Sequence, residues 1–288
     1  MRLKQKYALI TGGSQGLGKT VAEEFVKQGA SVILCARNEK ILQQTQHELS
    51  KKLDTNQKVL IQVIDVSDIS QVEKLREYVY AEFPRLDIVV NNAGIYGPKG
   101  KVEDVEYIQW KKAIDINLLG TFYICHVFLP QFKKQGYGKI INLSGGGATS
   151  PLPYLSAYAA SKAAVVRFTE TLALELSEHK IDVNAIAPGA LNTRLLDEVL
   201  DAGPEKVGKK FYEKAKKQKQ DGGVSLGVGA SLCVFLASSE SDGITGKLIS
   251  AVWDPWKDLP KYIEDLKKTD IYTLRRIIPE QRGKNWGG

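Results

Sequence analysis

Short apolar segments alternate with helix-length segments along most of the sequence, and this alternation constrains the fold more than any other feature. The apolar segments have the length of strands and are rich in β-branched residues; they are 7–11, 31–35, 58–63, 86–91, 139–144, 182–187 and 248–252. The segments with helical periodicity are 18–28, 39–52, 70–83, 107–117 with a continuation toward 134, and 158–177. Strands that are apolar on both faces and separated by helices form parallel sheets covered on both sides. We therefore predict an α/β fold with a doubly wound parallel sheet in three α/β/α layers.

Two regions depart from this alternation. Residues 191–228 are polar, rich in lysine and flanked by glycines, and residues 253–288 follow the last predicted strand and contain three tryptophans. No break in composition and no repeat divides the rest of the chain. We predict one domain, residues 1–252, that includes a basic segment at about 191–228 and is followed by a C-terminal extension, 253–288. The extension either covers a neighbouring subunit, forms a wall of the substrate pocket or packs locally.

Charge and composition exclude several classes of protein. The formal net charge is +7, which favours anionic ligands or solubility. Because basic and aromatic residues do not interleave, we expect no nucleic-acid partner. No apolar run reaches the roughly 18 residues of a membrane span, and the N-terminus has no signal-peptide pattern, so we expect a cytoplasmic protein with no membrane partner. The three cysteines are far apart in apolar segments, so we expect neither a disulfide framework nor a metal site.

A glycine-rich turn joins the first predicted strand to the first predicted helix. Its glycines allow the backbone to approach a pyrophosphate closely, and the following helix N-terminus offers free N–H groups. The spacing is G-x-x-x-G-x-G rather than G-x-G-x-x-G. At this place in a doubly wound sheet, the turn predicts a Rossmann-like dinucleotide site. The candidate contacts in the turn are Gly12, Ser14, Gln15, Gly16, Leu17 and Gly18.

The end of the second predicted strand indicates which dinucleotide binds. An acidic residue there would accept from the ribose 2′-hydroxyl of NAD, but the sequence has Ala36 followed by Arg37. A guanidinium suits a 2′-phosphate, so NADP(H) is favoured, with NAD(H) as the alternative; Arg37 is otherwise a solvated loop residue. Asp65 and Val66 end the third strand, where the carboxylate either accepts from the adenine amino group or begins a turn.

Tyr158 and Lys162 are four residues apart in an Ala- and Leu-rich helical segment without Gly or Pro. Residues at this spacing lie on the same helical face. A phenol normally titrates near ~10, and a neighbouring cation lowers that pKa toward neutral pH. Such a pair can exchange a proton with a substrate oxygen. An interfacial tyrosine beside a solvated lysine is the ordinary alternative for an isolated pair of this kind.

These residues, taken in order, resemble the short-chain dehydrogenase/reductase family over about residues 5–252. The resemblance rests on the glycine-rich turn, Asp65, Asn91-Asn92-Ala93-Gly94, Asn117, Ser144, Tyr158-x-x-x-Lys162 and Pro188-Gly189. Each motif is weak alone, whereas the ordered set is specific. The resemblance implies hydride transfer between a nicotinamide and a carbonyl or secondary alcohol, and a homodimer or homotetramer formed through the helices at 107–134 and 158–178.

The resemblance also implies a role for each matching residue. Tyr158 would be the general acid or base, and Lys162 would lower its pKa and bind the nicotinamide ribose. Asn117 would hold a water that links Lys162 to solvent. The residues that would lie along the cofactor are Asn91, Ala93 and Gly94, and those that would flank the nicotinamide carboxamide are Pro188, Gly189 and Thr193.

The sequence departs from the family pattern at the serine that binds the substrate oxygen. That serine usually stands thirteen residues before the tyrosine, where this chain has Gly145; Ser144 stands fourteen before it. Because side chains alternate along a strand, the shift by one residue would turn Ser144 away unless the glycines re-register the backbone. Backbone N–H groups, Thr149 or Ser150 are alternative donors. We carry Ser144 forward as a candidate catalytic residue.

We therefore predict an NADP(H)-dependent oxidoreductase with Tyr158 as the general acid or base. A regulatory or scaffold protein that binds the cofactor is the alternative from another class, because Gly145 weakens the site; an epimerase or dehydratase is a third. Seven lysines of the 191–228 segment raise the hypothesis of an anionic substrate, against which stands an ordinary solvated helix face. They are Lys206, Lys209, Lys210, Lys214, Lys216, Lys217 and Lys219.

Overall fold

A seven-stranded parallel sheet forms the centre of the computed structural model, which describes residues 1–286. The strands are β1 (Tyr7–Thr11), β2 (Ser31–Ala36), β3 (Val59–Val63), β4 (Ile88–Asn91), β5 (Gly138–Leu143), β6 (Ile181–Ala187) and β7 (Leu248–Ser250). Their order across the sheet is β3-β2-β1-β4-β5-β6-β7. The order reverses direction between β1 and β4, which is where open α/β sheets bind ligands.

Helices cover both faces of this sheet. They are α1 (Gly16–Lys27), α2 (Glu39–Ser50), α3 (Ile69–Glu82), α4 (Tyr107–Ile114), α5 (Gly120–Gln135), α6 (Ser156–Glu175), α7 (Arg194–Val207), α8 (Lys209–Asp221), α9 (Leu226–Ala237) and α10 (Ile263–Lys268). Successive strand residues serve opposite layers: Ile10 packs with α1, α2 and α9, whereas Leu9 packs with α3, α5 and α6. The predicted three-layer α/β/α fold with one doubly wound parallel sheet is confirmed.

Most of the differences between the predicted and the observed secondary structure lie in the regions that depart from the alternation of strands and helices. The basic segment forms α7 and α8, with Gly203 at φ 78° inside α7 and Gly208 between the two helices. The helix α9 was not predicted, because it is buried and apolar all round and therefore has no amphipathic periodicity. Helices α4 and α5 are joined by one turn of π-helix, Asp115–Leu119.

The first part of the C-terminal extension, as far as about residue 274, packs against its own chain; residues 287 and 288 lie outside the described part. The buried Trp256 ring packs on Phe235 at 5.4 Å between centroids. Further along, the Leu248 backbone N–H donates to the Tyr272 carbonyl at 2.8 Å. The extension thereby covers the outer edge of β7, which would otherwise present unpaired backbone groups. These residues pack locally, Trp253 reaches the cavity described below, and a role of the segment at a neighbouring subunit stays a prediction.

One helical stretch is long and apolar enough to be compared with a membrane span. It is Tyr107–Gln135, which runs through α4, the π-turn and α5. Half of its most apolar window is buried inside the fold, and α5 packs on α3 and β5. A core helix passes the same test of length and composition, so this stretch is weak evidence for a membrane partner.

Candidate active site

A cavity of about 1570 Å³ opens along the carboxyl ends of the strands. Parallel strands bring their carboxyl ends to one edge of the sheet, so residues that are far apart in sequence meet there. The predicted site residues that line the cavity are Gly12, Ser14, Gln15, Gly16, Leu17, Arg37, Asp65, Val66, Ala93, Gly94, Ser144, Tyr158, Lys162, Pro188, Gly189 and Thr193. Three others, Gly18, Asn91 and Asn117, lie behind this lining.

The glycine-rich turn has the shape that a close-lying phosphate group requires. Gly12 and Gly16 have φ angles of +62° and +56°, in the left-handed region that favours glycine. A Cβ on Gly12 would stand 2.9 Å from Asn92 Nδ2. The turn is also anchored from α2, since the buried Thr45 hydroxyl donates to the Ser14 carbonyl at 2.7 Å. These features fit a dinucleotide, because they leave the backbone N–H groups at the N-terminus of α1 accessible to its phosphates.

Thr11 and Asn92 fasten this turn to the end of β4. The Thr11 hydroxyl accepts from the backbone N–H groups of Asn92 and Ala93, both at 3.0 Å. The Asn92 amide donates to the Thr11 and Gly12 carbonyls at 3.0 and 3.1 Å. A Cβ on Gly18 would overlap the Gly12 carbonyl and the Asn92 amide. Gly18 thus serves close packing of α1, and the bracing roles of Thr11 and Asn92 were not assigned individually from the sequence.

Arg37 and Asp65 face each other at the adenine end of the cavity. Arg37 Nη1 lies 3.7 Å from Asp65 Oδ2, and half of the Arg37 side chain is exposed. The other carboxylate oxygen accepts from the Ser67 backbone and hydroxyl at 3.0 and 2.6 Å. The sequence showed no carboxylate near Arg37, but the pairing of β2 with β3 brings one in from the next strand. Part of the positive field of Arg37 is therefore offset by Asp65.

Tyr158 and Lys162 lie side by side in a desolvated part of the cavity. The Tyr158 and Lys162 residues are 9% and 5% exposed, and Lys162 Nζ is 5.7 Å from the Tyr158 ring centroid. Lys162 donates to the Leu143 carbonyl at 2.7 Å. Burial raises the pKa of Tyr158, with a smaller contribution from Tyr96, and burial lowers the pKa of Lys162 to about 8.

These shifts differ from the expectation that Lys162 lowers the pKa of Tyr158. The physical reason is that desolvation disfavours both charged forms, and it exceeds the attraction between phenolate and ammonium here. Tyr158 is therefore a neutral phenol at neutral pH, able to donate a proton. The edge-to-face packing of the Tyr96 ring, at 4.6 Å between centroids, fixes the Tyr158 ring from one side.

Asn117 lies in the π-turn behind Lys162. Its side chain accepts from the Ile95 backbone N–H and donates to the Ile95 carbonyl, both at 2.9 Å, and also donates to the Ser161 hydroxyl. A Cβ on Gly94 would lie 3.2 Å from Asn117 Oδ1 and 3.5 Å from Lys162 Nζ, so both side chains pack directly against Gly94. Asn117 thereby joins the end of β4 to the helix that carries Tyr158. Single π-turns inside helices are frequent at functional sites.

Asn91 lies one layer below the cavity lining. Its amide donates to Asn142 Oδ1 at 2.9 Å, and the Asn142 amide donates to the Thr169 hydroxyl at 2.8 Å. All three are almost fully buried. The chain of hydrogen bonds joins β4, β5 and α6, and so supports the strand ends from below rather than lining the cavity.

Ser144 and Gly145 directly follow β5, and Gly145 lies against Tyr158. The Ser144 backbone N–H donates to the Ile186 carbonyl at 2.9 Å, and its hydroxyl oxygen is buried without a hydrogen-bond partner among residues 1–286. Gly145 has extended backbone, φ −178°, that any residue could adopt. A Cβ there, however, would overlap the Tyr158 hydroxyl and stand 3.2 Å from its Cζ. The Tyr158 hydroxyl therefore occupies the space in which a side chain at position 145 would begin.

Helices α7 and α8 form the wall opposite the strand ends. Gln218 ties α8 to the loop after β6, donating to the Leu191 carbonyl and to Asn192 Oδ1 at 3.1 and 3.2 Å. Of the seven lysines singled out in this segment, only Lys214 lines the cavity. Lys219 pairs with Asp197 at 2.6 Å. Of the seven lysines, Lys214 is therefore the one that can contact an anionic substrate in this cavity.

Known proteins resemble this chain in both sequence and fold. A family model described as short chain dehydrogenase matches residues 6–203. A 3-oxoacyl-acyl-carrier-protein reductase of Thermotoga maritima is 33% identical over 252 residues, which are 86% of this chain and 97% of that protein. The structure of levodione reductase has a TM-score of 0.79 with 28% identity and covers 90% of this chain and 99% of its own. That of NAD⁺-bound xylitol dehydrogenase has a TM-score of 0.80 with 25% identity, covering 87% and 98%.

Proposed function

Because the chain belongs to the short-chain dehydrogenase/reductase family, a family of oxidoreductases, we propose that it transfers a hydride between NADP(H) and a carbonyl or secondary alcohol. Tyr158 is the general acid or base of this proposal. The observation that carries it is the desolvated pair of Tyr158 and Lys162 at the same cavity as the glycine-rich turn. A small-molecule substrate follows from the enclosed position of the pair.

Each group of cavity residues has a part in this reaction. Gly12, Gly16 and the N-terminus of α1 would hold the pyrophosphate, and Gly94 and Gly189 allow close packing of the strand ends against Lys162 and Val252. The dinucleotide supplies the hydride, which side chains cannot provide. Tyr158 gives its proton to the carbonyl oxygen, and Lys162 stabilises the phenolate that this leaves. Asn117 keeps Lys162 in register with the end of β4 through Ile95.

The protonation state of Tyr158 matches the part of a general acid in carbonyl reduction. Burial raises the pKa of Tyr158, so the phenol carries its proton at neutral pH. A general acid has to be protonated before the reaction, whereas a base that takes up a proton from an alcohol has to be ionised. The protonated phenol of Tyr158 is therefore the form that acts in carbonyl reduction, and it has to lose its proton before it acts on an alcohol.

A panel of carbonyl compounds tests this function. We would follow NADPH oxidation with ketones, aldehydes, keto-sugars and 3-oxoacyl thioesters, using the wild-type chain and Tyr158→Phe. The proposal expects turnover that falls about 10²–10⁴-fold in the variant while NADPH binding is retained. Tight NADPH binding without turnover of any compound would instead favour the regulatory or scaffold alternative, and Tyr158→Phe with full activity would refute the role of Tyr158.

The preference for NADP(H) rests on Arg37 and is opposed in part by Asp65. We propose that the guanidinium of Arg37 binds the 2′-phosphate, since it is half exposed and lines the cavity. Arg37→Ala should weaken NADPH binding about tenfold or more and leave NADH binding unchanged. Lys40→Ala, an exposed neighbour outside the cavity lining, is the matched control. Equal loss of NADPH and NADH affinity would contradict the assignment.

The charge of the substrate is tested at Lys214. Lys214 lines the cavity and has no acidic partner among the ion pairs of residues 1–286, so it is free to attract an anionic group. Lys214→Glu should raise KM for carboxylated or phosphorylated ketones and not for neutral ones. Lys209→Glu, on the same helix but outside the lining, controls for net charge. Equal KM changes in the two variants would remove the anionic-substrate hypothesis.

We also propose a cytoplasmic homodimer or homotetramer. The cytoplasmic location is supported by three free cysteines that are all buried, as in proteins of reducing compartments. The dimer is supported by Phe122 on α5 and Leu174 on α6, which expose 38% and 77% of their surface on the two helices predicted to associate. Light scattering of wild-type and Leu174→Glu chains tests this; a monomeric wild type would refute it.

A further inference from the structure

Trp253 stands at the cavity with its side chain almost entirely uncovered. It follows β7, at the same edge of the sheet as the other strand ends, and lines the cavity that contains Tyr158. The residue is 83% exposed. Among residues 1–286 its ring has neither an aromatic nor a cationic partner. A large apolar ring left open at a binding cavity indicates a surface that a ligand covers.

The backbone that carries Trp253 is held rigidly. Ser250 Oγ accepts from the Trp253 backbone N–H at 3.2 Å, and Asp254 Oδ2 accepts from the Ser250 backbone N–H at 2.6 Å. Three residues later, Trp256 is buried and its indole N–H donates to the Ala251 carbonyl at 3.2 Å. The same short segment thus buries one tryptophan and turns the other outward. The exposure of Trp253 is therefore set by the fold and is not the result of a loose tail.

The surroundings of Trp253 place it near the reacting end of the cavity. A Cβ on Gly189 would stand 2.8 Å from the side chain of Val252, so the turn touches the loop after β6 that is predicted to flank the nicotinamide. The lining of the same cavity includes four aromatic or aliphatic residues, which are Tyr96, Leu152, Leu195 and Phe211, beside polar ones such as Lys214. Tyr96 packs directly on Tyr158. A substrate whose oxygen reaches Tyr158 therefore has apolar surfaces within the same cavity to contact.

We propose that Trp253 is a specificity-determining residue that stacks on a ring of the substrate. The ring is saturated and presents C–H bonds to the indole face, as in a cyclic ketone or a cyclic secondary alcohol. This inference rests on the oxidoreductase function proposed above and deepens it. The reason for a ring is geometric: a flat indole face covers a ring in one rigid contact, whereas an open chain has to lose rotational freedom to make the same contact.

Two classes of compound contain such a saturated ring, alicyclic ketones and keto-sugars, and kinetics with one substrate of each class distinguish them. We would measure kcat and KM for a substituted cyclohexanone, a keto-pyranoside and an open-chain methyl ketone with as many carbons as the cyclohexanone. The variants are Trp253→Ala, Trp253→Phe and Trp286→Ala. Trp286 is 78% exposed like Trp253 but does not line the cavity, so it is the matched control.

The expected result is a change in KM that is confined to ring substrates. In Trp253→Ala, KM for the ring substrate rises about tenfold, which corresponds to about 1.4 kcal/mol, and kcat changes by less than about threefold, because the indole does not touch the reacting atoms. Trp253→Phe recovers part of the loss, since it keeps an aromatic face. Trp286→Ala matches the wild type. The ring compound whose KM rises in Trp253→Ala identifies the class of substrate, alicyclic ketone or keto-sugar.

Other outcomes overturn the inference. An equal rise of KM for the open-chain ketone would show a general loss of the pocket, and an unchanged KM for both rings would show that Trp253 is not a contact. If the wild type turns over no compound, the oxidoreductase proposal fails separately. Ring binding is then decided by fluorescence: cyclic ligands should protect wild-type tryptophan from acrylamide quenching and should not do so in Trp253→Phe, and equal protection in both refutes the inference.

Discussion

Replacing Gly145 by serine tests how closely the end of β5 is matched to Tyr158. The change would restore the side chain that the family pattern places thirteen residues before the tyrosine. If Gly145 were only a lost serine, the variant would gain activity. The structure leads to the opposite expectation, because a Cβ at this position would overlap the Tyr158 hydroxyl. The backbone is not the obstacle, since Gly145 is extended.

The size of the effect follows from the displacement of the hydroxyl. Ordinary van der Waals contact with a Cβ begins at 3.4 Å, and reaching it requires the Tyr158 hydroxyl to retreat on the order of 1 Å. The Tyr96 ring packs edge-to-face on Tyr158 at 4.6 Å between centroids and restricts movement of the Tyr158 ring. A misplacement of ~1 Å in a catalytic group costs about 10²-fold in rate, or about 2.7 kcal/mol in the barrier.

The assay is steady-state NADPH oxidation with the best carbonyl compound of the panel. We expect Gly145→Ser and Gly145→Ala to lose kcat by about 10²-fold alike, because both introduce the same Cβ. NADPH affinity should be retained, since the glycine-rich turn is not touched. Gly146→Ala is the matched control: a Cβ there meets nothing within 4 Å, and kcat should stay within about twofold.

A gain of activity in Gly145→Ser would refute this reasoning. It would mean that Tyr158 moves freely and that position 145 offers a hydroxyl a productive place. A loss in Gly145→Ser without a loss in Gly145→Ala would also contradict it, because the Cβ would then be harmless and the serine hydroxyl itself the cause. Thermal unfolding of each variant establishes that it is folded before the rates are compared.

Three further predictions concern the burial and bracing of the site. The folded-state pKa of Lys162 is lowered to about 8 from its ordinary value of 10.5. Between these two values the unfolded chain binds more protons than the folded one, so the free energy of unfolding should rise with pH from about 8 to 10. Urea titrations of Lys162→Met should show no such rise, and an identical slope in the variant would contradict the prediction. Trp256→Ala should cost about 3–5 kcal/mol of unfolding free energy, because it empties a buried site, whereas the exposed Trp253→Ala should cost less than about 0.5 kcal/mol; similar costs in denaturant melts would show that the two rings are equally buried. Asn92→Ala removes two hydrogen bonds that hold the glycine-rich turn and should weaken NADPH binding about tenfold, as calorimetry would measure; unchanged affinity would show that the turn keeps its shape without them.

Much of the fold was predictable because its signals are local. The strand β1 was predicted with the bounds that the structure has, and the other strands differ by one or two residues at their ends. The helix α9 escaped prediction because periodicity requires a polar solvent face, and in α9 only Ser231 is fully exposed. The helices α7 and α8 were described only as a polar segment, because their glycines interrupt the helical pattern.

Part of the candidate site was predictable for the same reason. Residues that directly follow parallel strands have to meet at one edge, so the turns after β1 and β4 could be placed together. The Tyr158–Lys162 pair lies inside α6, and only the family resemblance placed it at the same site. Contacts across the sheet could not be foreseen in this way. The sequence did not indicate that Asp65 would stand beside Arg37, because the two belong to different strands. Nor did it indicate which of seven lysines would face the cavity, since all of them share one polar segment.

The order of residue types along the chain was sufficient, without a structure, to predict a parallel α/β fold, a glycine-rich turn before the first helix and a tyrosine–lysine pair on one helical face. These depend on periodicity and spacing, which neighbouring residues determine among themselves. Only the tertiary structure decided that the Tyr158 hydroxyl lies against Gly145, that burial raises its pKa, and that the extension closes the edge of β7 while it turns Trp253 toward the cavity. These features arise from contacts between elements far apart in sequence, where packing and desolvation act through space rather than along the chain.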